Sequence, residues 1–296
     1  MSWLIDPIVN YGYFRHGLAA GVIAGALCGL IGVYVVLRRM SYIGHGLSHA
    51  IFGGAVVAYV LQINYYLFAG LWGIASALLI NGVARRRRIG ADAAIGVVTT
   101  ASFAVGVALI SRVNRFSVNL EAALFGNILG VTLSQILVMI GVTLGTAAVV
   151  IGKYRQLLFA TFDADVADAY GVNVRRIDTL IGLILAATVV STMQILGVTL
   201  IAAAVVVPAV IARLVTDSFA KMLVVSTILG ALCGGVGMYI SFYVDVASGA
   251  AIVLVMAAAF AVVYAVTALT ARRRLAALGS EEDVSELVGG PTVHVG

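Results

Sequence analysis

Thr179–Ala212 reads TLIGLILAATVVSTMQILGVTLIAAAVVVPAVIA, 34 residues without a charge. A helix needs about 20 predominantly apolar residues to cross the hydrocarbon core of a bilayer. The run is therefore either one long span or a hairpin of two short spans breaking near Gly197, with Pro208 a second candidate break. The choice sets how many times the chain crosses and on which side its second half lies. Outside this run, other charge-free stretches follow one another: His16–Leu37, Met40–Ala84, Ala93–Ser111, Ala122–Gly152, Met222–Val244 and Val246–Ala271. Met40–Ala84 is long enough for two spans, with a polar break at Gln62-Ile63-Asn64-Tyr65-Tyr66.

Composition agrees with lipid as the solvent. Of 296 residues, 62% are hydrophobic and 10% charged, against about 25% charged in ordinary soluble domains. Mean hydropathy is +1.11. A soluble enzyme is excluded, and so are a disordered chain and a collagen. A barrel would show short alternating segments, whereas these runs are uniformly apolar. The fold class is therefore all-α: a polytopic helical membrane protein of about eight or nine spans.

The basic residues arbitrate the count. With Thr179–Ala212 as two passes, 15 of the 18 Lys and Arg share one side, and only Arg15, Arg112 and Arg115 take the other. With one pass the split is 10 against 8. The positive-inside rule selects nine passes, with the N-terminus outside and the C-terminus in the cytoplasm. Residues 1–15, with Trp3, Tyr11 and Tyr13, read as an interfacial segment and not as a cleavable signal peptide, because the basic start is missing and the apolar run that follows is too long. Residues 16–274 form the membrane domain, and 275–296 a polar, partly disordered tail. The net charge of +5 reflects this topology and not nucleic-acid binding. Arg85–Arg88 anchors the topology and meets headgroups.

Gly17, Gly21, Gly25 and Gly29 recur every fourth residue, lie on one helix face and let another backbone approach. Gly126/Gly130 and Gly230/Gly234 repeat the spacing. Cys28 and Cys233 sit in apolar runs and form no disulfide framework. Gly152-Lys153 is followed by Tyr154, and Ala147 holds the first glycine position, so there is no P-loop. No Ser-His-Asp order, carboxylate pair or CxxC is visible; the chain is not an enzyme.

Four histidines remain: His16, His45, His49 and His294. His16 reads as an interface residue, and His294 lies in the polar tail. His45 and His49, in Gly44-His45-Gly46-Leu47-Ser48-His49-Ala50, are spaced i,i+4. On a helix this puts both imidazoles on one face, close enough to share a metal. Polar groups inside a span usually face a bundle interior or a water-filled path. The competing reading is two interfacial histidines satisfied by backbone or headgroups, and Gly44 and Gly46 put the helix itself in question.

Lys153–Asp178 (KYRQLLFATFDADVADAYGVNVRRID) is the longest charged insertion. Phe162–Gly171 reads as a short amphipathic helix, capped by Asp163 or Asp165 and ended by Gly171. It is either an ordinary interfacial loop or a docking helix that passes a push to its flanking spans. Asp92 begins the fourth span, where a carboxylate favours a helix N-terminus. Asp245, at the outer end of the eighth, and Glu121, in an outer loop beside ALFGN, are structural or face the outer mouth.

Five segments together resemble the permease subunits of the bacterial zinc/manganese/iron ABC importers, the metal ABC-3 family: GVYVVLRRMSYIGHGLSHA (32–50), SVNLEAALFGNILGV (117–131), FDADVADAYGVNVRRID (162–178), ILGVTLIAAAVVVPAVIARL (195–214) and YISFYVDVASGAAIVLV (239–255). The resemblance implies a homodimer in the bacterial cytoplasmic (inner) membrane, with a separate cytoplasmic ABC ATPase docked on each copy and an extracytoplasmic metal-binding protein delivering a divalent ion. It implies that 162–178 is the coupling segment, with Asp163, Ala164, Asp165, Val166, Ala167, Ala169, Tyr170 and Gly171 as ATPase-contacting residues. The family motif carries an Asp and a His four residues apart as metal ligands. Here His49 matches the His, and His45 stands where the Asp is expected. Carboxylate plus imidazole suits Mn(II) as well as Zn(II), while two imidazoles lean towards Zn(II) and other borderline ions. Two copies would present four imidazoles around the dimer axis, enough to hold Zn(II) tetrahedrally. The metal is cargo; no permanent cofactor is expected. The alternatives are an ABC importer of a metal chelate such as a siderophore, for which paired histidines are less suited, and a stand-alone secondary carrier, which has no need of a coupling segment.

Overall fold

The computed structural model describes residues 2–84, 91–112, 124–127 and 130–288, and among them every regular element is helical. In chain order these are α1 (Ser2–Asn10), α2 (Gly12–Leu37), α3 (Ser41–Val60), α4 (Tyr65–Ala84), α5 (Ala91–Arg112), α6 (Leu133–Gly152), α7 (Tyr154–Phe162), α8 (Ala164–Ala169), α9 (Val174–Leu196), α10 (Ile201–Val215), α11 (Phe219–Val244) and α12 (Ser248–Val288). Eight of them are long and apolar enough to cross a membrane, and α10 is a shorter apolar helix.

The ambiguous run is divided where its glycine stands. α9 ends at Leu196, and Gly197 takes φ +77°, a conformation that resists a side chain. α10 then continues unbroken through buried Pro208. That proline removes one N–H, which neighbouring helices tolerate in a packed bundle. The run is thus two helices, but unequal ones. α9 has 23 residues because it starts upstream of the charge-free stretch and carries Arg175, Arg176 and Asp178 in its first turns, while α10 has 15. The polar break in Met40–Ala84 falls at 61–64, where Gln62 is left-handed (φ 57°) and the Asn64 side chain accepts the Leu67 N–H at 3.0 Å.

Charges mark apolar boundaries better than helix boundaries. α2 begins at Gly12 and so runs through Arg15, with α1 a separate helix before it. α12 runs from Ser248 to Val288, past Arg272–Arg274, so the first part of the tail is helical instead of disordered. Aromatic rings gather where α2 starts and α11 ends: Phe14, fully buried, lies 4.8 Å from Phe242 and 5.1 Å from Tyr239.

Within lipid there is no hydrophobic drive between helices, so packing decides association. The central contact is between antiparallel α2 and α11. Gly21, Gly25 and Gly29 meet Gly234, Gly230 and Ser226, and a Cβ on Gly25 would strike the Gly230 carbonyl. The Ser226 hydroxyl donates to the Gly29 carbonyl at 2.6 Å. A second junction closes the ends of α9 and α12. Ser248 Oγ donates to the Ile195 carbonyl at 2.9 Å, and Thr199 Oγ1 to the Leu124 carbonyl at 2.7 Å. Gly126 of the ALFGN stretch, at φ +85°, abuts Ile195 there.

Gly25→Ala is expected to destabilise the protein by about 1–3 kcal/mol, because backbone cannot yield as a side chain does. Gly141→Ala in α6, where nothing lies within 4 Å of the added carbon, is expected to leave stability unchanged or slightly raised. Thermal midpoints of the detergent-solubilised protein check both.

Candidate metal site

α3 starts from a rigid corner. Arg38 caps α2, Arg39 takes the left-handed conformation (φ 55°), and the Met40 N–H reaches back to the Val35 carbonyl at 2.8 Å while the Arg39 N–H reaches Val36 at 3.1 Å. These are the two bonds of a Schellman motif. From there α3 is helical throughout, Gly44 and Gly46 included.

Gly46 serves packing, whereas a Cβ on Gly44 would meet nothing within 4 Å. α3 and α5 run parallel. A Cβ on Gly46 would press on Ile95 and Thr99, one on Gly53 would meet the Ser102 carbonyl, and one on Gly106 would come within 2.9 Å of Gly53 Cα. The helices therefore touch along a seam that leaves a groove beside it. Its volume is about 610 Å³, and it is lined by Tyr42, His45, His49, Thr99, Thr100 and Phe103, with Gly46, Ile95 and Gly96 in its floor.

His45 and His49 lie side by side in this groove as their spacing predicts, with ring centroids 4.6 Å apart and planes at 81°. His45 is exposed. His49 is half-buried, packs edge-on against Phe103 at 5.1 Å, and holds its Nδ1 buried without a hydrogen-bond partner among the described residues. Burying a polar nitrogen unpaired costs about 1–3 kcal/mol, so this atom gains from a ligand or from a water brought by one. Nearby hydroxyls are already committed: Ser48 Oγ donates to the His45 carbonyl at 2.8 Å and Thr99 Oγ1 to the Ile95 carbonyl at 2.7 Å. Among the described residues no third His, Cys, Asp or Glu joins the pair.

The other predicted residues lie elsewhere. Asp163 ends α7 and caps α8, accepting the Val166 N–H at 2.9 Å, so it is the cap and Asp165 is not. Gly171, at φ +78°, ends the turn. Only Ala167 of this helix is buried; Asp163, Ala164, Asp165, Val166, Ala169, Tyr170 and Gly171 are exposed, Tyr170 at 81%. Phe159 and Phe162 of α7, Val166 of α8 and Tyr170 after it are exposed aromatic or apolar side chains. Position 92 falls in the first turn of α5, and its side chain lies outside the described residues, as do Glu121 and His294. Asp245 is the exposed left-handed C-cap of α11, its N–H bonded to the Ser241 carbonyl. His16 is exposed on α2. Sequence reasoning missed the wall facing the histidines: Tyr42 is three residues before His45 and legible as the same face, but Thr99, Thr100 and Phe103 come from a helix whose placement no spacing reveals.

A model of the ABC 3 transport family matches residues 10–267. The manganese transport system membrane protein MntC of Halalkalibacterium halodurans is 35% identical over 264 residues, 89% of this chain and 90% of that protein. The chelated iron transport system membrane protein YfeC of Yersinia pestis is 33% identical over 260 residues, 88% of each. Among solved structures, PsaBC from Streptococcus pneumoniae in complex with Fab superposes with a TM-score of 0.80 at 30% identity, covering 88% of this chain and 94% of that one. With the family model spanning nearly all the membrane helices, the chain belongs to the ABC 3 transport family.

Proposed function

We propose that this chain passes a bare divalent transition-metal ion through the groove between α3 and α5, with His45 and His49 as its protein ligands. The chain is a multi-pass permease subunit of the bacterial inner membrane, and ATP hydrolysis belongs to a separate subunit. The observation that carries the reading is the 4.6 Å imidazole pair, with one nitrogen unpartnered, in an open and mainly apolar groove on the helix bundle.

Polar groups at membrane depth face a bundle interior or a water-filled path, not lipid. The exposed ring of His45 and the Thr100 hydroxyl therefore need a cover, and a second copy of the chain provides one. Two copies bring four imidazoles to one path, a neutral set that suits Zn(II) and other borderline ions. Relatives named for manganese and for chelated iron mark the neighbouring specificities. The exposed side chains of Phe162, Val166 and Tyr170 fit a docking surface for the ATPase, and an extracytoplasmic binding protein delivers metal to the opposite face. The N-terminus lies outside, residues 1–15 rest at the interface, and Asp92, Glu121 and Asp245 hold structural or outer-mouth positions.

Cells carrying the full transporter are expected to lose uptake of one metal by about tenfold or more with His45→Ala or His49→Ala, since each removes half of a two-ligand set. Zinc, manganese and iron are assayed in parallel at matched protein levels; unchanged uptake of all three would remove the pair from the path. His45→Asp is expected to raise manganese uptake relative to zinc, by the hardness of the added oxygen ligand. Tyr170→Asp is expected to weaken co-purification of the ATPase without changing metal binding.

A further inference from the structure

One side chain joins the docking segment to the metal helix. Arg38, at the last turn of α2, has a side chain only 9% exposed. Its Nη2 lies 2.8 Å from Asp178 Oδ1 on the first turns of α9 and donates to the Ala160 carbonyl of α7 at 3.0 Å. α7 leads into α8 through Asp163, which belongs to both, and α9 follows α8 after a four-residue turn whose Asn173 caps it by accepting the Arg176 N–H. The guanidinium therefore grips the chain on both sides of the docking helix, 122 residues ahead of it in sequence on the α7 side.

On its other flank the same residue enters the Schellman corner. Two hydrogen-bonded residues, Arg39 and Met40, separate it from Ser41, the first residue of α3. His45 and His49 follow one and two turns further on. One guanidinium nitrogen shared between a carboxylate and a carbonyl holds the two flanks of the docking helix to the same point. A displacement of α7–α8–α9 thus reaches the start of α3 through one short hydrogen-bonded turn. The aromatic contact beside it, where Phe219 meets Tyr34, Tyr154 and Phe162 at 5.6, 5.5 and 6.0 Å, ties α11 to the same corner by packing alone.

We propose that Arg38, through Asp178 and the Ala160 carbonyl, is the positioning residue that couples ATPase docking at α8 to the His45/His49 helix. This rests on the reading of α8 as the docking helix. The test uses the complete transporter in proteoliposomes, this chain with its ATPase and binding protein. It reads three quantities with manganese and zinc as probes: metal bound at equilibrium, ATP hydrolysed, and metal moved per ATP. Arg38→Gln and Asp178→Asn are expected to leave metal binding and ATPase co-purification intact while metal moved per ATP falls about tenfold, as loss of a coupling contact allows. The charge exchange Arg38→Asp with Asp178→Arg is expected to restore much of that ratio. An unchanged ratio, no recovery on exchange, or loss of the folded complex in every variant would each overturn the proposal, the last by making the pair a structural staple. An ATPase that binds the Tyr170→Asp chain as well as it binds the wild type would instead overturn the docking reading.

Discussion

How closely α2 and α11 approach governs the geometry of the bundle. In lipid the two helices gain nothing by hiding apolar surface from each other, so their association depends on short-range packing and on the few hydrogen bonds available. Gly21, Gly25 and Gly29 against Gly234, Gly230 and Ser226 remove the side chains that would hold the backbones apart. α2 also packs on α10, where Gly32 faces the Val205 carbonyl, and reaches Thr192 of α9 through buried Cys28. With α2 fixed in this way, the corner at Arg38–Met40 sets the direction in which α3 leaves, and with it the position of the histidine pair. α5 and α12, by contrast, leave most of their surface outward.

Much of this was legible in the chain itself, for reasons that can be named. Gly197, Gln62 and Asn64 interrupt apolar runs, and each stands at an observed break because each supplies something a helix interior does not need: a left-handed backbone or a capping oxygen. The i,i+4 histidines share a face because helical periodicity leaves no other choice. α3 is helical through both Gly44 and Gly46, and at Gly46 the small residue serves the α5 seam, so packing there overrode propensity.

What escaped the sequence is lateral. Nothing in Thr99-Thr100 states that α5 runs parallel to α3 and places those hydroxyls opposite His49. Arg38 and Asp178 lie 140 residues apart and look like two ordinary boundary charges until the fold brings them to 2.8 Å. Pro208 looked like a breaker because its missing N–H is a local property, whereas its tolerance comes from the helices around α10. Arg15 and Arg272–Arg274 marked the limits of apolar sequence, but helices continue beyond such limits wherever the backbone finds its own hydrogen bonds.

The seam between α3 and α5 has a mechanical meaning. Gly53 and Gly106 bring the two backbones to contact, and Gly46 seats Thr99 and Ile95, about two and three turns before Gly106 on α5. Sliding one helix along the other would drive backbone into backbone at Gly53 and Gly106 and press Ile95 and Thr99 against α3 at Gly46. Histidines and hydroxyls on these two helices are therefore held at a fixed mutual spacing, as one jaw. On the proposed path, a metal held there would be released by parting this jaw from what faces it, not by loosening the jaw from within.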